Sequence, residues 1–209
     1  MPDSGPVLGW VTRDWASSEV QVLLRPRTTF AALARSPDEG PRRLAARVAL
    51  QLLVLGCAVS LTTAGRLVPW HVVSGFVAWS FIPAIQLIGA SIGVHVARRG
   101  LDLRRVLSIY SAGNGPWLLV FTVIPGAMVL WPGTALSFWI ERGVLPFVIG
   151  AALLFGLWLT YLFHRTVLEV GPLRAIVATC VDLVVKVALS LAWFQAMDNL
   201  IPQLLGPGT

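Results

Sequence analysis

The sequence predicts an all-α, polytopic membrane protein: five transmembrane helices preceded by a short N-terminal interfacial helical segment. Three observations carry that expectation. The chain is 56% hydrophobic and only 12% charged over 209 residues, with a mean hydropathy of +0.76, whereas soluble domains are about 25% charged. Its apolar residues fall in runs long enough, at about 1.5 Å per helical residue, to cross roughly 30 Å of hydrocarbon. Its basic residues are one-sided. Thirteen of the sixteen Lys and Arg lie in three segments: Arg13, Arg25, Arg27, Arg35, Arg42, Arg43 and Arg47; Arg98, Arg99, Arg104 and Arg105; Arg165 and Arg174. Arg66 and Arg142 fall on the opposite side, with Lys186 between. Because basic loops stay in the cytoplasm, this pattern predicts a multi-pass protein of the cell's inner (cytoplasmic) membrane, N-terminus cytoplasmic and C-terminus exterior. A pI near 10.6 would suit nucleic acid, but the placement of the basic residues on one predicted side of the membrane argues against it.

Residues 1–43 form the leader. They contain no apolar run of signal-peptide length and are expected to stay cytoplasmic. Trp10 and Trp15 are amphipathic anchors suited to the headgroup level, and Ser18 with Gln21 has capping-box spacing for a short helix ending at Pro26. Thr28 or Thr29 then caps a second turn or two with Phe30, Leu33 and Ala34 on one face. That apolar face, flanked by Arg27 and Arg35, suits either the inner-leaflet interface, with Phe30 as an anchor, or docking on the transmembrane core. Residues 36–41 break the chain before the membrane domain, residues 44–200.

Span one runs from about Leu44 to Ala64, followed by a short outer turn, Gly65 to Pro69. Span two, about Val72 to Ala97, should bend at Pro83, and Gly89 with Gly93 forms a GxxxG face for close helix packing. Span three, about Val106 to Leu130, is the most broken, by Gly113-Asn114-Gly115-Pro116 and by Pro125-Gly126. Carbonyls freed there must be satisfied by protein or water, so this kink either lines a contact site to which Asn114 contributes or is closed by Ser108, Ser111 or a neighbouring helix. Residues 132–143 make the longest exterior connection. Span four, about Gly143 to Phe163, ends in Tyr161, His164 and Arg165 as an inner border. Span five follows the inner loop, and residues 201–209 form a short exterior tail. Cys57 and Cys180 lie in apolar runs and read as small buried hydrophobes.

Span five holds the chain's most informative pair. Asp182 lies roughly 10 Å and Lys186 roughly 16 Å inside the hydrocarbon edge, where an unpaired charge costs on the order of 3 kcal/mol. Their i,i+4 spacing, acid first, places them on one helical face as an ion pair. The pair is either a structural lock, the favoured reading because nothing else in the sequence resembles a partner for a relay, or a relay or partner contact.

Several segments resemble the YIP domain family of five-span membrane proteins, in its bacterial form. Arg25-Pro26-Arg27-Thr28-Thr29-Phe30 is similar to that family's proline-then-phenylalanine segment ahead of the first span. Tyr110, followed by Gly115-Pro116-Trp117-Leu118-Leu119, is similar to its tyrosine-to-proline-leucine span. Trp158 to Phe163, His164 and Leu173-Arg174-Ala175 resemble its fourth span, inner loop and entry to the fifth. The resemblance implies five helices, a cytoplasmic N-terminus, no catalysis, and action through membrane partners. The very short leader and the Asp182/Lys186 pair depart from the pattern.

The sequence has no HExxH, GxSxG, Walker A or CxxC motif, so no enzyme, metal or cofactor chemistry is expected. The expected function is a non-enzymatic membrane scaffold or accessory subunit, working through lipids and other membrane subunits or copies of itself. The alternative is a small oligomeric transporter or channel using the kinked third helix and the Asp182/Lys186 pair.

Overall fold

Prolines and glycines decide where the helices of this chain begin, break and end. The computed structural model describes residues 18–36, 40–97, 102–130 and 136–205, the side chains of 136–138 and 198–205 excepted. Among these residues the regular elements are helical, with no strand. Five helices are long and apolar enough to cross a membrane: Gly40–Ala64, Pro69–Ala97, Leu103–Leu130, Val144–Thr166 and Pro172–Met197, hereafter spans one to five. The fold is therefore all-α and polytopic. Trp10 and Trp15 lie outside the described residues.

The described part of the leader holds two short helices, residues 18–24 and Pro26–Arg35. Pro26 occupies the first turn of the second helix, where a missing N–H costs nothing, so it starts that helix three residues ahead of the expected threonine cap. The threonines instead close the corner. Thr29 Oγ1 lies 3.0 Å from Gln21 O and 2.8 Å from Arg25 O, and Thr28 Oγ1 donates to Arg25 O at 3.0 Å. The Ser18 hydroxyl donates to Glu19 Oε2 at 2.9 Å. Val22 and Phe30, 0% and 1% exposed, belong to one core with Tyr110, Leu159 and Phe163. Phe30 is thus an interior side chain and not an interfacial anchor, because Phe163 offers its ring a T-shaped partner at 6.1 Å.

Span one begins at Gly40, ahead of the expected start, and ends at Gly65. Gly65 adopts φ +65°, and its N–H bonds Leu61 O at 3.0 Å, a left-handed cap that glycine makes without strain. Buried Ser60 holds the turn, donating to Arg66 O and accepting from Val68 N at 2.7 Å. Spans one and two then cross backbone to backbone at Gly56 and Gly75. A Cβ on Gly75 would fall 2.9 Å from Gly56 Cα, and one on Gly56 would run into Val72 O.

Span two breaks at Trp79–Ser80, between the helices Pro69–Ala78 and Phe81–Ala97, and not at Pro83 itself. The cause is still Pro83. It has no N–H for Trp79 O and its ring crowds that carbonyl, so Ile82 N takes Trp79 O instead, at 3.1 Å. That leaves Ala78 O without its usual helical donor, and Trp193 Nε1 of span five supplies one at 3.0 Å. Trp79, Phe81, Trp193 and Phe194 stack around the repair, with ring centroids 5.4–6.0 Å apart.

Span three starts at an Asp102 cap, whose carboxylate accepts from Arg104 N at 3.0 Å. Helix Leu103–Ser111 passes through a single 3₁₀ turn, Ala112–Asn114, into helix Gly115–Leu130, which continues through Pro125. Beyond it a short helix, Leu136–Glu141, precedes Gly143 and span four. Span five belongs to a helix that continues to Leu205, so the segment expected to be a short tail is helical up to that residue. Cys180 is exposed on the helix surface and Cys57 is half-buried, against the expectation that both are core residues.

Candidate intramembrane site

The i,i+4 spacing on span five does what side-chain geometry demands: Lys186 Nζ lies 2.7 Å from Asp182 Oδ2. Asp182 is 2% exposed and Lys186 half-buried. The sequence left this pair on its own. In the structure Tyr110 of span three joins it, donating its hydroxyl proton to Asp182 Oδ2 at 2.7 Å while accepting from Lys186 Nζ. The ammonium also sits 4.7 Å from the Tyr110 ring centroid, a cation–π contact. Phe163 packs edge-on against Tyr110 at 5.0 Å and carries the contact chain on to Phe30.

Gly89 explains how the carboxylate reaches this position. A Cβ there would collide with Asp182 Oδ1 and lie 2.9 Å from Tyr110 OH. One turn on, a Cβ on Gly93 would lie 2.8 Å from Leu168 Cδ1 and 3.2 Å from His164 Nε2. The GxxxG face therefore seats polar heads from spans four and five, where the motif had suggested only close packing of a helix. Asp182 Oδ1 and His164 Nε2, both against this face, make no hydrogen bond among the described residues. His164 is not an interfacial border residue: it is 0% exposed, its Nδ1 3.2 Å from Thr179 Oγ1, because Gly93 leaves room for the ring.

The broken turn of span three is closed largely by span one. Gln51 Nε2 donates to Ser111 O at 3.3 Å, and Asn114 Nδ2 donates to Gln51 Oε1 at 3.3 Å. Arg47 Nη1 donates to Ser108 O at 2.8 Å and Ser108 Oγ at 2.9 Å, and Ser111 Oγ to Ser108 O at 2.9 Å. Gly115 lets the leader in, since its missing Cβ would lie 2.8 Å from Leu23 Cγ, and Pro116 is buried beside it. The kink thus belongs to a neighbour-satisfied interior, while Asn114 still lines the cavities described below.

A second buried ion pair went unseen in the sequence. Arg47, read as a basic residue at the membrane edge, is 3% exposed, with Nε 3.2 Å from Glu19 Oε1 and Nη2 3.3 Å from Ser18 Oγ. It ties the leader to spans one and three. The available signal was an acid, Glu19, inside the leader's amphipathic stretch, but nothing in the sequence gives the distance between segments.

Lys186 stands where two cavities meet. One of about 330 Å³ lies between spans one, two, three and five, and one of about 360 Å³ between spans three, four and five. Asn114, Trp117 and Ser190 line both with Lys186, whereas Asp182 lines only the second. The site brings together Gly89, Tyr110, Asp182 and Lys186, with Asn114 across the cavities. Gly93 belongs to the adjoining His164 seat. No group of three metal-ligating side chains occurs among the described residues. No protein-family model matches the chain, and no match is found among curated proteins or solved structures.

Proposed function

We propose that the protein is a non-enzymatic integral membrane scaffold or accessory subunit of the inner membrane, acting through lipid and protein contacts with its leader on the cytoplasmic side. One observation carries the reading: its intramembrane charges are neutralised in internal pairs. Asp182 spends one oxygen on Lys186 and Tyr110 together, and Arg47 is bonded to Glu19 and Ser108. Bonds of that kind fix how spans pack against one another, and leave an apolar exterior as the working surface. The resemblance to the YIP family, whose members act by contacts, favours the same reading. Gentle extraction from native membranes followed by native mass spectrometry is expected to yield the chain with a stoichiometric second membrane protein. A lone chain, or a symmetric ring of copies, would overturn the subunit reading.

A second reading, a small oligomeric transporter or channel, is favoured by one specific observation. Asn114, on the broken turn of span three, and Lys186 line the same two cavities. Transport along that route predicts a proton or sodium flux in proteoliposomes that Asp182→Asn abolishes. Unchanged flux in that variant removes the charge pair from any transport mechanism.

A further inference from the structure

The cavity between spans one, two, three and five combines apolar walls with a few polar groups. Leu52, Leu55, Trp79, Ile82 and Phe121 supply walls, and Lys186, Gln86, Asn114, Gln51 and Ser190 supply the polar groups. Its volume, about 330 Å³, falls within the range of small-molecule sites, which pair apolar linings with a few placed polar groups. It is a cleft, not a sealed void. A cleft between membrane spans has acyl chains as its surrounding medium, and apolar walls hold hydrocarbon better than water.

Lys186 and Gln86 each bring an uncommitted donor to this cleft. A lysine ammonium has three N–H groups; one is directed to Asp182 Oδ2 and one to Tyr110 OH, which leaves the third. Gln86 is 4% exposed, lines the cleft, and makes no side-chain hydrogen bond among the described residues. The Gln86 carboxamide can both donate and accept, so a ligand that accepts from Lys186 and exchanges hydrogen bonds with Gln86 fits both. The charge balance fixes the ligand's class further. Asp182 already neutralises Lys186, so a carboxylate or phosphate would leave a net buried negative charge, and a second cation would be repelled by the ammonium.

We propose that this cleft binds a neutral amphiphile with a carbonyl or hydroxyl head, drawn laterally from the bilayer, its head on Lys186 and Gln86 and its chain against Trp79 and Phe121. The site stands whether or not a partner subunit is found, since it needs only this chain in a membrane. The test uses the full chain in nanodiscs and a photoactivatable fatty alcohol carrying a mid-chain diazirine. Competitors are the methyl ester, the free carboxylate and the quaternary ammonium of the same chain length.

Labelling is expected to saturate, to map to peptides of the cleft, and to be displaced by the ester about tenfold better than by either ion. Gln86→Leu preserves shape and charge; it is expected to weaken labelling about tenfold without lowering the unfolding midpoint. Leu118→Trp, which fills the cleft, should abolish labelling, and serves where Lys186→Met fails to fold. Labelling that does not saturate, displacement by the carboxylate as strong as by the ester, or wild-type labelling of Gln86→Leu would each overturn the proposal.

Discussion

A carboxylate 2% exposed among apolar spans persists because Lys186 and Tyr110 both bond its Oδ2. Removing one member of such a pair strands the other, whereas replacing both removes the desolvation cost as well. Asp182→Asn and Lys186→Met are each expected to cost about 3 kcal/mol, and the double variant less than either, in denaturant unfolding from mixed micelles. A double variant less stable than both singles would sink this account. Gly89→Ala is expected to cost about 1–3 kcal/mol by driving a methyl group into the Asp182 carboxylate. Gly150→Ala, with nothing within 4 Å of its Cβ, is the control and should be neutral. The pair was legible because i,i+4 spacing is a local rule. Tyr110 was not legible as its third member, since helical periodicity fixes a residue's face but not which residue of another span it meets. The GxxxG signal was likewise half-read: it marked a close approach, but not that the approaching group is a carboxylate.

At the scale of the element, prolines announce a break and leave its exact position and its repair to the surroundings. Pro83 moved the break in span two back to Trp79–Ser80, and only Trp193 on span five identifies what became of the Ala78 carbonyl. The leader was harder still. Its basic, amphipathic segment suits a membrane surface and a docked helix alike, and the burial of Phe30 and Glu19 decides for docking. Arg47→Met leaves Glu19 buried without its cation and is expected to loosen the leader. Trypsin should then cut after Arg27 and Arg35 at least about tenfold faster than in the wild type, as the docked state loses more than about 1.4 kcal/mol. Arg25 precedes Pro26 and is an internal negative control. Equal cleavage rates would mean that the Arg47–Glu19 contact does not hold the leader.

For the whole molecule, the number of spans and their ends were legible to within a few residues, because hydrocarbon thickness imposes a length that composition reveals. How the spans pack was not, since apolar side chains facing lipid and those facing protein look alike in a sequence. Span four illustrates this: Leu159, Leu162 and Phe163 are buried while Phe147 and Leu154 are about three-quarters or two-thirds exposed, with no polar stripe to tell the faces apart. The proposed orientation has its own check. In a chain with both native cysteines replaced, Arg104→Cys should react with an impermeant maleimide only from the cytoplasmic side and Arg142→Cys only from the exterior. The reverse pattern would invert the topology.

The contact of Phe30 with Phe163 also has a meaning in time. A ribosome delivers the leader first and the end of span four only after three earlier spans have entered the bilayer, so Phe30 waits through most of synthesis without the ring it packs against. During that interval the leader is open to proteases and holdases, and its docking, when it comes, certifies that the bundle has been assembled as far as its fourth helix.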